Sequence, residues 1–328
     1  MSSFHVHAPG KMVVGGEYAV LEGIPAVVIA VDRYVKLQVQ PTSRADNTAR
    51  TESTLPPEAE ATRELAQQHW GELPAAFKLD VRALRGDSAK FGLGSSGAAA
   101  AAVSVAVAHY HGHDSGLMGV KEDCFKWALA GHHRIAPQGS GIDVLASCMG
   151  GVLKVRRSQD AALQWEPLSW PADLELRVVW TGHEARTSDM VARVKAWSHT
   201  QPSDYARCLA ACEQAVTRMI DGFQTQSASV IIDAARSYGE AMQALGVSAD
   251  VPIVEENLSR IASFAKDAGG AAKPSGAGGG DVAIALFHDV EQADRFDRQC
   301  TQHGFIRVPL GISSLGAHVP ASSSALFS

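Results

Sequence analysis

Cysteine is scarce in this chain. The 328 residues include five, at positions 124, 148, 208, 212 and 300, and no two are spaced Cys-x-x-Cys. Few, scattered thiols in odd number exclude a disulfide framework or a structural zinc site and lead us to expect a reducing, cytoplasmic setting. Long apolar runs are missing too. No stretch reaches the roughly 18 residues of a membrane span; the longest small-apolar run, Gly97 to Ala108, is alanine-rich and too short. The first residues lack a basic segment followed by an apolar one, so no secretory signal is expected. Positive charge is in deficit: 29 Lys and Arg stand against 35 Asp and Glu, a net −6 with His neutral. That argues against a general nucleic-acid or membrane-surface binder and leaves room for a local basic pocket. The chain has no GxxxxGK[ST] loop, no HRD/DFG set and no internal repeat.

With 46% apolar and 20% charged residues, the composition is that of a soluble globular protein of one large or two medium domains. Alternation predicts strands over residues 4–8, ending at Pro9-Gly10, over 26–40, and around Phe77, Leu79 and Val81. Residues 41–57, rich in Thr, Ser, Asn and Pro, read as a surface loop. Helices are predicted over 58–70 and 119–133, and a strand at GGVLKV. The polar, Pro-containing stretch 156–173 reads as a boundary, with an N-terminal domain over 1–165 and a C-terminal one over 166–328. Beyond it come the strand LELRVVW and helices near 187–198, 203–223, 228–245 and 252–268. The strand VAIALF, a helix near 290–303 and a final strand FIRVPL follow. Segregated strands and helices predict an α+β fold rather than regular βαβ alternation.

Chemistry concentrates in four segments. Lys90-Phe91-Gly92-Leu93-Gly94-Ser95-Ser96-Gly97 opens an Ala/Val helix. Its glycines permit close backbone approach, and the free N–H groups of a helix start suit a phosphate. A dinucleotide reading of the formal GxGxxG fails, because the preceding strand ends some eight residues earlier and Asp114 sits in a turn. Ala8-Pro9-Gly10-Lys11 puts a lysine just past a turn. Gly139-Ser140-Gly141-Ile142-Asp143 puts a carboxylate at a helix start, which serves either as a cap or beside a substrate. Ser275-Gly276-Ala277-Gly278-Gly279-Gly280-Asp281 precedes a buried-looking strand, more like a ligand-facing loop than a linker. Each segment alone also has an ordinary structural reading.

In this order the four segments, APGK with GEYAVL, GLGSSG, GSGIDVLAS and SGAGGGD, closely resemble the GHMP kinase superfamily, from Ala8 to about Leu286. The resemblance implies a two-domain α+β fold with the active site in the interdomain cleft. It implies that Lys90, Gly92, Leu93, Gly94, Ser95, Ser96 and Gly97 wrap ATP, with Ser95 and Ser96 on Mg²⁺. Lys11 and Asp143 take the catalytic positions. Glu17, Tyr18, His132, Ser140, Gly141, Arg186, Ser275, Gly276, Ala277 and Gly278 are the implied acceptor contacts. Within the superfamily the chain is most similar to the phosphomevalonate kinases. His132 stands where mevalonate kinases usually carry a Mg²⁺-binding Glu, Ser88 where they have Pro, and Asp281 ends the third glycine loop. Trp180 to Ser188 resembles the phosphomevalonate kinase stretch WTGxxAST, with Arg186 in place of a small residue. His132, His133 and Arg134 form a small basic cluster that an anionic acceptor would favour. The implied partners are ATP and 5-phosphomevalonate, with no nucleic acid or membrane, in a monomer or homodimer. Mevalonate kinase or another small-molecule kinase of the superfamily is the alternative.

Overall fold

The computed structural model describes residues 2–42, 55–85, 90–158, 162–185 and 187–321. Arg186, Ser88 and most of the loop expected over 41–57 lie outside them. The first half runs β1 (Phe4–Gly15), β2 (Ala26–Pro41), α1 (Pro57–Trp70), β3 (Ala75–Asp80), α2 (Ser95–Tyr110), α3 (Met118–Ile135), α4 (Ile142–Met149), β4 (Val152–Arg157) and β5 (Leu163–Leu168). The second runs β6 (Glu175–Trp180), α5 (Thr187–Thr200), α6 (Pro202–Gln224), α7 (Ala228–Ala249), α8 (Glu256–Asp267), β7 (Ala271–Pro274), β8 (Val282–Phe287), α9 (Val290–Gln302) and β9 (Ile306–Arg307). Strands and helices are segregated as the α+β reading predicts, in two antiparallel sheets. The first has the order β1-β2-β4-β5 with β3 also on β2; the second is β7-β8-β6-β9.

Three strands differ from expectation. Pro9-Gly10 does not end β1. The register against β2 shifts there, and the strand continues to Gly15; the irregularity absorbs the Pro-Gly step and re-aims the residues beyond it. The polar stretch over 156–173 contains β5, an edge strand whose Pro167 lies opposite Leu153. An edge tolerates both proline and polar side chains. Residue 165 therefore falls inside β5, and the passage between sheets lies between Leu168 and Glu175. Of FIRVPL only Ile306 and Arg307 pair, with Trp180 and Val179.

Helix α2 is the axis of the first half. Its residues from Gly97 to Ala108 are all buried, so it is apolar all round rather than amphipathic. Alanine and valine keep it thin, letting α1, α3 and α4 pack on it with β1 and β2 behind. The same economy of volume recurs where Gly131 of α3 meets α1: a Cβ there would lie 2.2 Å from Thr62 Oγ1. In the second half α6 and α7 pair against each other, and α8 and α9 share an apolar cluster with β6 and β8.

The chain then returns. After β9 it crosses back to the first sheet, where His7 and His318 exchange two N–H···O bonds of 2.9 Å. Ser313 N–H donates to Ala30 O at 2.9 Å. Gly316 presses on α4 so closely that a Cβ would sit 1.9 Å from Cys148 O. No helix among the described residues is long and apolar enough to cross a membrane.

Candidate active site

The site is built where β1, the loop before α2 and the start of α4 converge. Past its irregularity β1 carries Lys11, whose N–H donates to Leu93 O at 2.9 Å and whose Nζ donates to Gly92 O at 3.1 Å. Ser147 of α4 fixes the bend by donating to Pro9 O at 2.7 Å. Gly92 and Gly94 adopt φ of +71° and +75°, which side chains disfavour. The space is also taken: a Cβ on Gly94 would lie 2.9 Å from Lys11 Cγ and 3.5 Å from Asp143 Cβ. One on Gly97 would lie 3.0 Å from Asp143 Oδ2. Thus three segments far apart in sequence meet around Lys11, Gly94 and Asp143. The N-cap of α2 is Gly94, with no side-chain cap, which leaves the first N–H groups for an anion.

Asp143 stands in the first turn of α4, behind Gly141 at φ +76°. Its Oδ2 is 3.7 Å from His132 Nε2, which also lies 3.4 Å from Ser96 Oγ. His132 is 5% exposed, and its Nδ1 is buried without a hydrogen-bond partner. The basic cluster splits: His133 Nε2 lies 3.2 Å from Gly139 O, and Arg134 pairs with Glu64 at 3.4 Å. Burial lowers the pKa of His133, so it is a poor anchor for an anion.

The third glycine loop is fastened to β1 and the turn after it. Ser275 Oγ accepts from Val13 N–H at 3.0 Å and donates to Val13 O at 3.1 Å. Tyr18 Oη donates to Ala277 O at 2.6 Å. Glu17 and Lys273 form a buried ion pair at 2.5 Å, and Tyr238 Oη donates to Glu17 O at 2.7 Å. Gly278, at φ +77°, is pressed on Ile253 O. At the end of the loop Asp281 Oδ1 accepts from Ala185 N–H at 3.0 Å, and Oδ2 lies where a Gly92 Cβ would be only 2.4 Å away. Burial raises the Asp281 carboxyl, with the Ala185 N–H and Lys11 opposing. Beside it Glu184 accepts from Lys90 N–H at 2.5 Å.

Two connected spaces result. A cavity of about 240 Å³ is walled by Lys11, Glu17, Tyr18, His132, Ser140, Asp143, Gly276 and Ala277, with Val13, Val20, Leu21, Ile142 and Val191 as apolar surface. A groove of about 1140 Å³ is walled by Lys90, Gly92, Gly94, Ser95, Ser96, Asp281 and one side of α5. Lys11 and Asp143 face both. Leu93, Gly97, Gly141, Ser275 and Gly278 are buried behind these walls and shape them. Gln138, Arg157, Glu184, Ser188 and Lys195 also line the groove. The motifs do not single them out for the site, except Glu184 and Ser188, which belong to the Trp180–Ser188 stretch. Lys195 reaches Gln138 Oε1 at 3.3 Å across the groove, a pairing 57 residues apart that no local pattern announces.

Ser95 and Ser96 at the start of α2, with Asp143 nearby, offer hard oxygen donors. Among the described residues no three His, Cys, Asp or Glu side chains are grouped to hold a metal alone. That donor set fits Mg²⁺ borne by phosphate oxygens and completed by one carboxylate and a hydroxyl.

Comparison with known proteins agrees with this geometry. The family model for the GHMP kinases N terminal domain matches residues 59–151, and that for GHMP kinases C terminal matches 231–305. A phosphomevalonate kinase of Streptomyces sp. (strain CL190) is 29% identical, over 86% of this chain and 89% of that protein. A mevalonate kinase of Aeropyrum pernix is 25% identical, over 87% and 88%. The Streptococcus pneumoniae phosphomevalonate kinase, solved in complex with phosphomevalonate and AMPPNP, superposes with a TM-score of 0.78 at 18% identity. It covers 95% of this chain and the whole of that one, and shows the shared fold. The chain belongs to the GHMP kinases, a family of ATP-dependent kinases.

Proposed function

We propose that the protein is a phosphomevalonate kinase, transferring the γ-phosphoryl group of ATP to the 5-phosphate of (R)-5-phosphomevalonate. The observation that carries this reading is that Lys11 and Asp143 face both the small cavity and the groove. A small acceptor in the first and ATP phosphates in the second would meet at these two residues. The likeness to the Streptomyces phosphomevalonate kinase supports the choice of acceptor. So does the neutral or cationic His132 beside Asp143, where a second carboxylate would repel an anionic substrate.

An oxygen of the acceptor phosphate attacks the γ-phosphorus, the bond to the β,γ-bridging oxygen breaks, and ADP and 5-diphosphomevalonate leave. A phosphate monoester is largely ionised at pH 7, its second pKa being about 6, so no strong general base is required. Positioning and charge neutralisation carry the rate. Lys11 bridges the approaching phosphates. Asp143 orients Lys11 and the acceptor. The N–H groups at the start of α2, with Lys90, hold the donor. Ser95, Ser96 and Asp143 would hold Mg²⁺, which neutralises phosphate charge when bound. The free buried thiols and ATP as donor fit a cytoplasmic setting.

Coupled ADP release with Mg²⁺-ATP, assayed with mevalonate and 5-phosphomevalonate side by side, tests this. Turnover with 5-phosphomevalonate alone is expected. Turnover with mevalonate alone would make the protein a mevalonate kinase.

A further inference from the structure

Apart from the groove and its small cavity, a pocket of about 230 Å³ opens where α8, the end of β6 and the start of β9 meet. Trp180, Thr181, Asn257, Arg260, His303 and Phe305 supply most of its wall, and none of the described residues lining it is acidic. Arg260, half-buried on α8, holds its guanidinium over the Phe305 ring, 5.3 Å from the centroid. Stacking uses the flat face of the group and leaves the five N–H bonds around its edge. Among the described residues none of them finds an acceptor. His303 Nδ1 donates to Gln299 O at 2.9 Å, which leaves Nε2 for a ligand. A half-buried guanidinium with one face on a ring and its edge unpaired is shaped to take a carboxylate or phosphate in a fork. The Trp180 and Phe305 rings beside it suit a flat apolar body attached to that anion.

The pocket is tied to the groove through its own wall. Thr181 N–H and Oγ each donate to Asp281 O at 2.9 Å, and Thr181 O accepts from Asn257 Nδ2 at 2.9 Å. The Trp180 ring meets Phe91 edge-on, with centroids 6.2 Å apart. Asp281 ends one glycine loop and Phe91 precedes Gly92 of the other, and Asp281 and Gly92 both line the groove. We propose that this pocket is a regulatory site for a small organic anion, its charged end on Arg260 and its flat apolar part against Trp180 and Phe305. A ligand there bears on Trp180 and on the Asn257–Thr181 contact, and so on the two loops that face the nucleotide. The proposal does not depend on which acceptor the kinase uses.

The test is calorimetric titration with phenyl phosphate, and with inorganic phosphate for comparison, in the absence and presence of saturating Mg²⁺-AMPPNP. Phenyl phosphate should bind the native protein in both states, about tenfold or more tighter than inorganic phosphate, because the ring is buried with the anion. Its affinity should differ between the two states by about fivefold or more, the ordinary scale of coupling between sites. Arg260→Met keeps an apolar stem on Phe305 and removes the fork, so it should weaken phenyl phosphate by about tenfold or more. The same variant should leave Mg²⁺-AMPPNP affinity unchanged when no phenyl phosphate is present. A native protein that does not bind phenyl phosphate would overturn the proposal, whether or not the variant folds. So would equal binding by native protein and folded variant. Binding that Mg²⁺-AMPPNP abolishes in both would place the probe in the groove and overturn it too. An affinity indifferent to Mg²⁺-AMPPNP would overturn the regulatory role.

Discussion

Gly94 is defined by what stands around it. Its φ of +75° and the 2.9 Å left between a Cβ and Lys11 Cγ make even one methyl group intrusive. Gly94→Ala should cost about 1–3 kcal/mol of stability through the strained backbone. It should also lower kcat/KM about 10²-fold by displacing Lys11, the scale of a 1 Å misplacement. Urea unfolding and steady-state kinetics check the two parts; unchanged kinetics would mean that Lys11 does not need this packing. Asp281 allows a test by pH. Burial raises its carboxyl above the ordinary 3.8, so the folded state binds that proton more tightly than the unfolded one. Its contribution is then fully present below pH 3.8 and is lost as pH rises through the folded value. Asp281→Asn keeps an oxygen for Ala185 N–H and removes the titration. The stability of the variant relative to the native protein should therefore climb above about pH 4 and then level off. A flat difference from acid to neutral pH would contradict the raised carboxyl.

At the scale of elements, α2 is the most constrained. Ala102 is fully buried in a helix with neighbours on every side, so Ala102→Leu should destabilise by about 1–3 kcal/mol through overpacking. A thermal melt indistinguishable from native would show slack that the packing does not suggest. This helix and the loop before it were legible in the sequence, because glycines followed by small apolar residues have a local meaning. The glycine loop ending at Asp281 was legible for the same reason. β5 was not, since an edge strand lacks the apolar signature of a buried one. Nor was the far half of β1, because Pro9-Gly10 signals a stop unless a partner strand tolerates the irregularity. Among candidate site residues, Lys11, Gly94 and Asp143, which the structure brings together, were named from the order of motifs. The engagement of Glu17 with Lys273, 256 residues away, depends on tertiary packing. The same packing assigns Ser275 to Val13 rather than to a cavity wall.

At the scale of the whole molecule, the two sheets are joined in more than one place. The linking segment between Leu168 and Glu175 is the obvious connection. Glu17–Lys273, Tyr18–Ala277 and Ser275–Val13 join the halves a second time beside the small cavity. The path from β9 to His318 joins them a third time, adding backbone bonds to β1 and β2. Each half thus completes the other. Severed between Leu168 and Glu175 and produced together as two polypeptides, the pieces should reassemble by fragment complementation and regain ATP turnover. Either piece produced alone should precipitate. A first piece that is soluble and monomeric by itself would contradict this. Because the segment from residue 311 to 318 closes a sheet whose first strand begins at Phe4, that sheet stays open at one edge during synthesis until both halves have been made, so such a chain would depend on protection from aggregation while it grows.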